Sequence, residues 1–157
     1  MSHPFLKGFP VKYHKTLFDN AVLIEIPEGD FIFKDGQRAE HFFLIIKGKV
    51  SLLAKEQDVR IDPEANMGVL QTLKSGDVVG WSWIIPPYRW RFDAKAAENT
   101  KLLALNGIKI REKMSKDHSF AYEIYKRLMP VVNERLIATR LKLQTFGGLP
   151  FVTAEGG

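Results

Sequence analysis

The chain has 157 residues, of which 45% are hydrophobic and 26% are charged, a composition typical of one ordinary globular domain. Its 23 Lys and Arg residues outnumber 18 Asp and Glu residues, which gives a net charge of +5. The absence of cysteine excludes disulfides and thiolate metal ligands, and no apolar run is typical of a signal peptide or a membrane span, so we expect a cytoplasmic protein without a membrane partner.

Short apolar runs separated by turn residues extend from Ala21 to Leu105. β-Branched and aromatic residues dominate these runs, and Gly or Pro ends most of them, which is the pattern of β-strands. One strand in every ~8–12 residues is typical of an all-β sandwich or barrel. The predicted strands are AVLIEI, FIF, HFFLII, VSLLAK, VLQTL, VVGW, FDAKA and KLLAL.

Three kinds of turn signal separate the strands. The run HFFLIIKGKVSLLAK predicts a hairpin with Lys47-Gly48 at its turn, because Gly can adopt the positive φ of such turns. Glu28-Gly29-Asp30 and Ser75-Gly76-Asp77 predict two further turns, each followed by a strand. The polar run from Glu56 to Gly68 predicts a loop between strands.

After the last predicted strand, apolar residues recur in steps of three and four, which predicts an amphipathic helix. Asp117 or Ser119 is placed to cap its start, and the pattern continues to about Thr145. Pro130 removes one backbone donor inside the pattern and therefore predicts a kink or a break near Leu128.

This helix carries both an apolar stripe and the excess positive charge of the chain. Residues 109–142 hold nine Lys and Arg against four Asp and Glu. A basic helix can attract nucleic acid, but the amphipathic periodicity favours a solvated face, so nucleic acid is not an expected partner. The stripe could pack on the domain itself or on a second copy, and we expect a homodimer. It consists of Leu128, Val132, Leu136, Thr139 and Leu143.

Three segments together resemble one family. EGDFIFKDGQRAEHFFLIIKGKVSLL, LKSGDVVGW and a helix ending in ERLIATRLKLQ are similar to the cyclic-nucleotide-binding domain family, and within it to the sensor domain of catabolite-activator and Fnr-type regulators. The resemblance implies a mainly β fold, a double-stranded β-helix (jelly roll) with flanking helices and a long C-terminal helix. It also implies a phosphate-binding cassette before the last two strands.

The stretch GWSWIIPPYRW, which begins at Gly80, occupies the place of that cassette. Gly80 matches the cassette's Gly, after which the free N–H groups of a short helix would face a phosphate. The resemblance implies an acid at the next position to accept from a ribose hydroxyl, and Trp81 stands there instead. The position of the phosphate-binding Arg falls on Arg91 when counted forward from Gly80 and on Trp90 when counted back from the strand FDAKA. Arg89 and Arg91 lie on either side of Trp90, so both are candidates.

Two interpretations of this stretch remain open. In the first, a cyclic nucleotide (cAMP or cGMP) or a related anion binds to the cassette, with an indole stacked on a ring of the ligand. In the second, Trp81, Trp83 and Trp90 fill the pocket of a structural or interaction protein that kept the fold. The candidate ligand-binding residues are Gly80, Trp81, Ser82, Trp83, Arg89 and Arg91.

Other chemistry is not indicated. The four histidines have no metal-ligand spacing, and no nucleophile–base motif occurs, so neither a metal site nor an enzyme is expected. We assign residues 1–145 to the domain and residues 146–157 to a flexible tail. The tail is too short for the two further helices of a helix-turn-helix, so we expect a stand-alone sensor or regulatory module that signals to another, unknown protein.

Overall fold

The structure, a computed structural model, describes residues 3–54 and 68–147, with side chains described as far as Leu141. The strands are β1 Val22–Ile26, β2 Phe31–Phe33, β3 His41–Lys47, β4 Lys49–Leu53, β5 Val69–Lys74, β6 Val78–Val79, β7 Asp93–Ala96 and β8 Thr100–Asn106. They form two antiparallel sheets with the strand orders β1-β8-β3-β6 and β2-β7-β4-β5. The predicted double-stranded β-helix is therefore confirmed.

Helices flank this pair of sheets on both sides of the strand-rich segment. The α-helices are α1 His14–Phe18, α2 Gly107–Lys116 and α3 His118–Gly147. The short 3₁₀-helices are Pro4–Leu6, Val11–Tyr13 and Ser82–Ile84. The long C-terminal helix of the prediction is thus present as α3, whereas the sequence reading did not resolve α2 as a separate helix.

The core lies between the sheets and extends under the helices. Four consecutive residues of β3, from Phe42 to Ile45, are buried, which requires cover on both faces of that strand. The second sheet covers one face, and α1 and α2 lie against the sheet of β3 and β8 on the other. From α3, Phe120, Ile124 and Leu128 enter the same core.

The turn at Gly48 does not form the predicted hairpin. Gly48 has a φ of +113°, so the turn itself is present, but β3 and β4 belong to different sheets. Thr100 contributes to the change of sheet, since its hydroxyl oxygen accepts from the Lys49 N–H at 3.2 Å, and its single proton is shared between the Glu98 carbonyl at 2.7 Å and the Lys49 carbonyl at 3.0 Å. The first residue of β4 is thereby fixed beside β8 instead of beside β3.

The two predicted Gly-Asp turns are confirmed, with φ values of +92° at Gly29 and +96° at Gly76.

α3 starts where the sequence predicts but does not break at Pro130. The Asp117 carboxylate accepts from the Phe120 N–H at 3.0 Å and from the Tyr13 hydroxyl at 3.3 Å, so Asp117 caps the helix and ties it to the N-terminal segment. Pro130 lies within a continuous helix. It leaves the Lys126 carbonyl without its helical donor, a small loss because both residues are exposed to water. The predicted break near Leu128 was wrong, whereas the alternative of a kink there stays a prediction.

Two of the sequence predictions concern residues outside the described ranges. The loop predicted from Glu56 to Gly68 lies there except for its last residue, and the tail at 146–157 lies there from residue 148 onward. Both stay predictions.

We predict that Asp117→Ala lowers the melting temperature in a pH-dependent way. The Phe120 N–H is the main cause that lowers the pKa of the Asp117 carboxyl from 3.8, so the folded state favours the charged form. Its stabilising contribution is complete above pH ~5 and is lost as the pH falls through the lowered folded pKa. The difference in melting temperature from the wild type should therefore be large at pH 7 and shrink below pH ~4.

The control is Asp117→Asn, which keeps a capping oxygen but does not titrate. Circular dichroism melts at pH 7 and pH 3 measure all three proteins. An equal loss for Asp117→Ala at both pH values would contradict this role of the carboxylate.

Candidate functional site

Gly80 and Trp90 meet where β6 ends, at the place of the predicted cassette. Gly80 has a φ of +96°, and a Cβ atom built on it would lie 2.5 Å from Cη2 of Trp90. No side chain other than hydrogen fits at that distance. The face of the Trp90 indole stacks on Phe33 at 3.8 Å between ring centroids, with an interplanar angle of 7°. The indole therefore lies against the cassette's Gly with the outer edge of its six-membered ring and against Phe33 with its face.

This packing leaves almost no space beside Gly80. The remaining cavity has a volume of about 10 Å³. A cavity needs ~10–15 Å³ to hold a single water, so a cyclic nucleotide does not fit while Trp90 keeps its position. The cavity is lined by Phe33, Leu52, Gly80, Trp81, Ser82, Trp90, Phe92 and Arg135.

Trp83 anchors the cassette in the core. Its side chain is fully buried and stacks on Phe42 at 4.5 Å with an interplanar angle of 8°. It also packs on Gly107 at the start of α2, where an added Cβ would lie 3.0 Å from the indole. Arg111 of α2 donates to the Trp83 carbonyl at 2.5 Å and lies over the Tyr88 ring at 3.8 Å. These contacts fix the short 3₁₀-helix against α2.

The Trp83 indole N–H is buried and has no hydrogen-bond partner among the described residues. An unsatisfied buried donor costs ~1–3 kcal/mol, which the stacking on Phe42 and the burial of the ring offset.

Trp81, by contrast, is half-buried and lines the small cavity. The three indoles therefore have different roles, with Trp83 in the core, Trp90 over Gly80 and Trp81 at the edge.

Arg89 and Arg91 lie on the outer side of the segment that carries Trp90. Trp90 donates to the Gln37 carbonyl at 2.9 Å, and its own carbonyl accepts from Gly36, so this segment is extended. Side chains alternate along an extended segment, which places Trp90 inward and both arginines outward. Both are exposed, and Arg89 donates to the Gly36 carbonyl at 3.0 Å. Neither lines the cavity, and their roles as ligand residues stay predictions.

Arg135 of α3 is a cation at the cavity that the sequence reading missed. It is 5% exposed, and it donates to the Val78 carbonyl at 2.8 Å and to the Gln71 side chain at 3.2 Å. No described carboxylate forms an ion pair with it. Burial lowers the pKa of the Arg135 guanidinium to about 10, so the group is still charged at neutral pH. The signal in the sequence was its spacing, because Arg135 continues the steps of three and four that join Ile124, Leu128 and Val131 on the buried side of α3.

The other side of α3 presents an exposed apolar stripe that differs from the predicted one. Leu128 is 3% exposed and packs in the core of its own domain, so it was wrongly assigned to a dimer surface. Val132 is half-buried, Leu136 is 66% exposed, and the side chain of Leu143 lies outside the described set. The exposed apolar residues at heptad spacing are Tyr122, Tyr125, Met129 and Leu136.

The comparison with known families identifies this fold. The family model described as "Cyclic nucleotide-binding domain" matches residues 23–117. The chain belongs to the cyclic nucleotide-binding domain family. Its cassette, from Gly80 to Arg91, lies within the matched range.

Several solved structures of this family share the fold at low sequence identity. A putative cyclic nucleotide-binding protein from Geobacter metallireducens is 20% identical with a TM-score of 0.72, covering 84% of this chain and 91% of that one. The Thermus thermophilus catabolite activator protein is 21% identical with a TM-score of 0.63, covering 90% of this chain and 62% of that one. The regulatory subunit of a cAMP-independent protein kinase A from Trypanosoma brucei is 21% identical with a TM-score of 0.55, covering 80% and 47%.

No curated protein matches the sequence. None of the described helices is both long and apolar enough to cross a membrane. Within residues 3–54 and 68–147, no three His, Asp or Glu side chains are grouped so that they could hold a metal ion.

We predict that Gly80→Ala destabilises the domain by ~2–4 kcal/mol. The new Cβ collides with Trp90, and a φ of +96° disfavours any side chain. Urea unfolding measures the change in the free energy of unfolding.

Gly29→Ala is the matched control, because Gly29 has a φ of +92° but nothing lies within 4 Å of its added Cβ. It should cost only the backbone part, ~1–2 kcal/mol. In a Trp90→Ala background, Gly80→Ala should cost no more than this control. An unchanged large cost in that background would show that the indole is not the obstacle.

Proposed function

We propose that this chain is a regulatory domain of the cyclic nucleotide-binding family whose nucleotide site is held closed by its own aromatic side chains. It acts through protein contacts made by α3, and its expected cytoplasmic location is part of the proposal. One observation supports this function above all: the Trp90 indole packs against Gly80 and leaves a cavity of about 10 Å³ beside it.

The energetics of the stacked ring support a closed site. Moving Trp90 out would expose a side chain that is now 4% exposed and would break its stack with Phe33. Area burial and the aromatic pair together make this cost ~3 kcal/mol. A ligand that must displace the ring therefore loses ~100-fold in affinity before it makes any contact.

The chemistry around Gly80 supports the same conclusion. The position at which the family resemblance implies a ribose-binding acid carries Trp81, and no acidic residue lines the cavity. Arg89 and Arg91 are exposed on the outer side of their segment. A nucleotide would therefore find neither a sugar acceptor nor a cassette arginine in place. A fold relative, the Trypanosoma brucei subunit, is itself described as cAMP-independent.

The second candidate is a sensor that binds a cyclic nucleotide or a related anion at the cassette from Gly80 to Arg91. Arg135 favours it, because a buried guanidinium without an ion-pair partner among the described residues lies on the cavity wall. In this candidate Trp90 leaves its place, and Arg135 or one of the cassette arginines neutralises the phosphate. The nucleotide titration below separates the two functions.

We further propose that two copies pair through α3. Tyr122, Tyr125, Met129 and Leu136 are between 51% and 66% exposed and recur at the a and d spacing of a coiled coil. Apolar side chains of this size at that spacing are covered by a symmetry-related helix in a parallel pair. The output protein would then bind a surface formed by both copies.

We predict that cAMP and cGMP, each titrated to ~1 mM, produce no saturable change in tryptophan fluorescence and no heat in calorimetry. The physical reason is the cost of displacing Trp90 together with the lack of a ribose acceptor and of a cassette arginine at the cavity, which together place the affinity beyond this range. A catabolite activator that binds cAMP is the positive control in the same assay.

Saturable quenching in the wild type would contradict the closed site and establish the second candidate. Arg89→Ala, Arg91→Ala and Arg135→Met would then identify the arginine that holds the phosphate, since only the loss of that residue should abolish the quench.

We predict a dimer in solution that is lost in Met129→Glu and in Leu136→Glu, because each change places a charge in the apolar seam. Sedimentation velocity at ~10–100 µM measures the mass. Ile137→Glu adds the same charge at an exposed position of α3 that is neither an a nor a d position of the heptad, and should stay dimeric. A monomeric wild type, or three variants that behave alike, would contradict the proposed pairing through α3.

A further inference from the structure

A second concavity lies on the far side of Arg135 from the cassette. It opens where the N-terminal 3₁₀ turn, the turn between β5 and β6, and the middle of α3 meet, and its volume is about 390 Å³. That volume falls within the ~300–1,000 Å³ of small-molecule sites, unlike the cavity beside Gly80. We call it the Arg135 groove.

The groove has an excess of positive charge. Four basic side chains line it against two acidic ones, Asp77 and Glu134. Arg127 is already committed, because it forms an ion pair with Glu123 at 2.6 Å and donates to the Lys7 carbonyl at 2.9 Å. The other three basic residues, Lys7, Lys126 and Arg135, have no ion pair within the described part of the chain.

Arg135 is the strongest anion-binding group in the groove. Its guanidinium is almost completely buried, yet both of its hydrogen-bond acceptors, the Val78 carbonyl and the Gln71 amide, are neutral. Burying a cation without a contacting anion is costly, and Asp77 and Glu134 only partly offset this from a distance. An anion that reached this guanidinium would gain a charge-assisted hydrogen bond in a site that is largely shielded from water.

The rest of the groove wall is apolar. Phe5 is buried at 5% exposure and belongs to the core, while Pro4, Pro130 and Val131 complete the lining. Pro130 also leaves the Lys126 carbonyl without a helical donor on the turn of α3 that borders the groove. An apolar surface with one deep cation suits a molecule with an apolar body and a single anionic group.

We propose that the Arg135 groove is a binding site for a small organic anion, in which Arg135 holds a carboxylate, phosphate or sulfonate group and Phe5, Pro130 and Val131 contact the apolar body. The site is separate from the cassette, because Arg135 borders both spaces and divides them. A ligand here would join the N-terminal turn to α3 without any movement of Trp90. The proposal therefore goes beyond the proposed function and does not depend on it.

The test uses 8-anilinonaphthalene-1-sulfonate, a fluorescent aromatic sulfonate, as the probe on the full chain. We expect saturable binding with one site per chain and at least a tenfold weaker affinity in Arg135→Met. Arg140→Met removes the same charge from an exposed position of α3 and should leave the affinity unchanged. Circular dichroism melts show that each variant is folded at the temperature of the titration.

A second pair of variants locates the probe if Arg135→Met does not fold. Val131→Glu places an acid in the groove and should weaken binding at least tenfold, whereas Ile137→Glu places it at an exposed position of α3 outside both the groove and the apolar stripe and should have no effect. The proposal is overturned if the probe does not bind saturably, if its affinity is insensitive to both groove variants, or if Ile137→Glu weakens binding as much as Val131→Glu does. None of these readouts involves cAMP, so a failure here is distinct from a failure of the closed cassette.

Discussion

An indole ring packed between a glycine and a phenylalanine closes the cassette. Because Gly80 has no Cβ, the edge of the Trp90 ring approaches the backbone more closely than any other residue would allow, and Phe33 stacks on the ring at 3.8 Å. The family resemblance implies a phosphate beside this glycine, so in the proposed function one contact both stabilises the domain and occupies the ligand's place.

The cassette is clamped at both ends, which fits a site that stays closed. Trp90 holds its end against the sheet that contains β2, and Trp83 holds its beginning against β3 and α2. Arg111 adds a hydrogen bond from α2 to the Trp83 carbonyl. A ligand-driven rearrangement of this segment would have to release two buried indoles. The two indoles of the cassette are therefore part of the core.

The strands, the two Gly-Asp turns and the start of α3 could be predicted from the sequence, because each depends on local periodicity or on a single cap such as Asp117. The errors arose where a distant contact decides the local structure. The turn at Gly48 reads as a hairpin until Thr100 is known to hold the next strand in the other sheet. The assignment of Leu128 failed for the same reason, since one stripe of apolar spacing does not say which of two surfaces it covers.

At the candidate site the sequence located the indoles and the missing acid, but it could not find Arg135. A basic residue in a basic helix looks solvated, and only the packing of α3 against β5 and β6 shows that it is buried. Its position gives α3 direct contact with both the closed cavity and the open groove. A ligand that shifts this guanidinium, from the cavity beside Gly80 or from the Arg135 groove, therefore acts on α3, which carries the exposed apolar stripe. Because the two neutral acceptors of Arg135 hold it only by hydrogen bonds, and each such bond to a charged group contributes ~1.5–3 kcal/mol, an anion in the groove can compete for it. An anion bound in the groove would then act on α3 through Arg135, and the cassette could stay closed throughout.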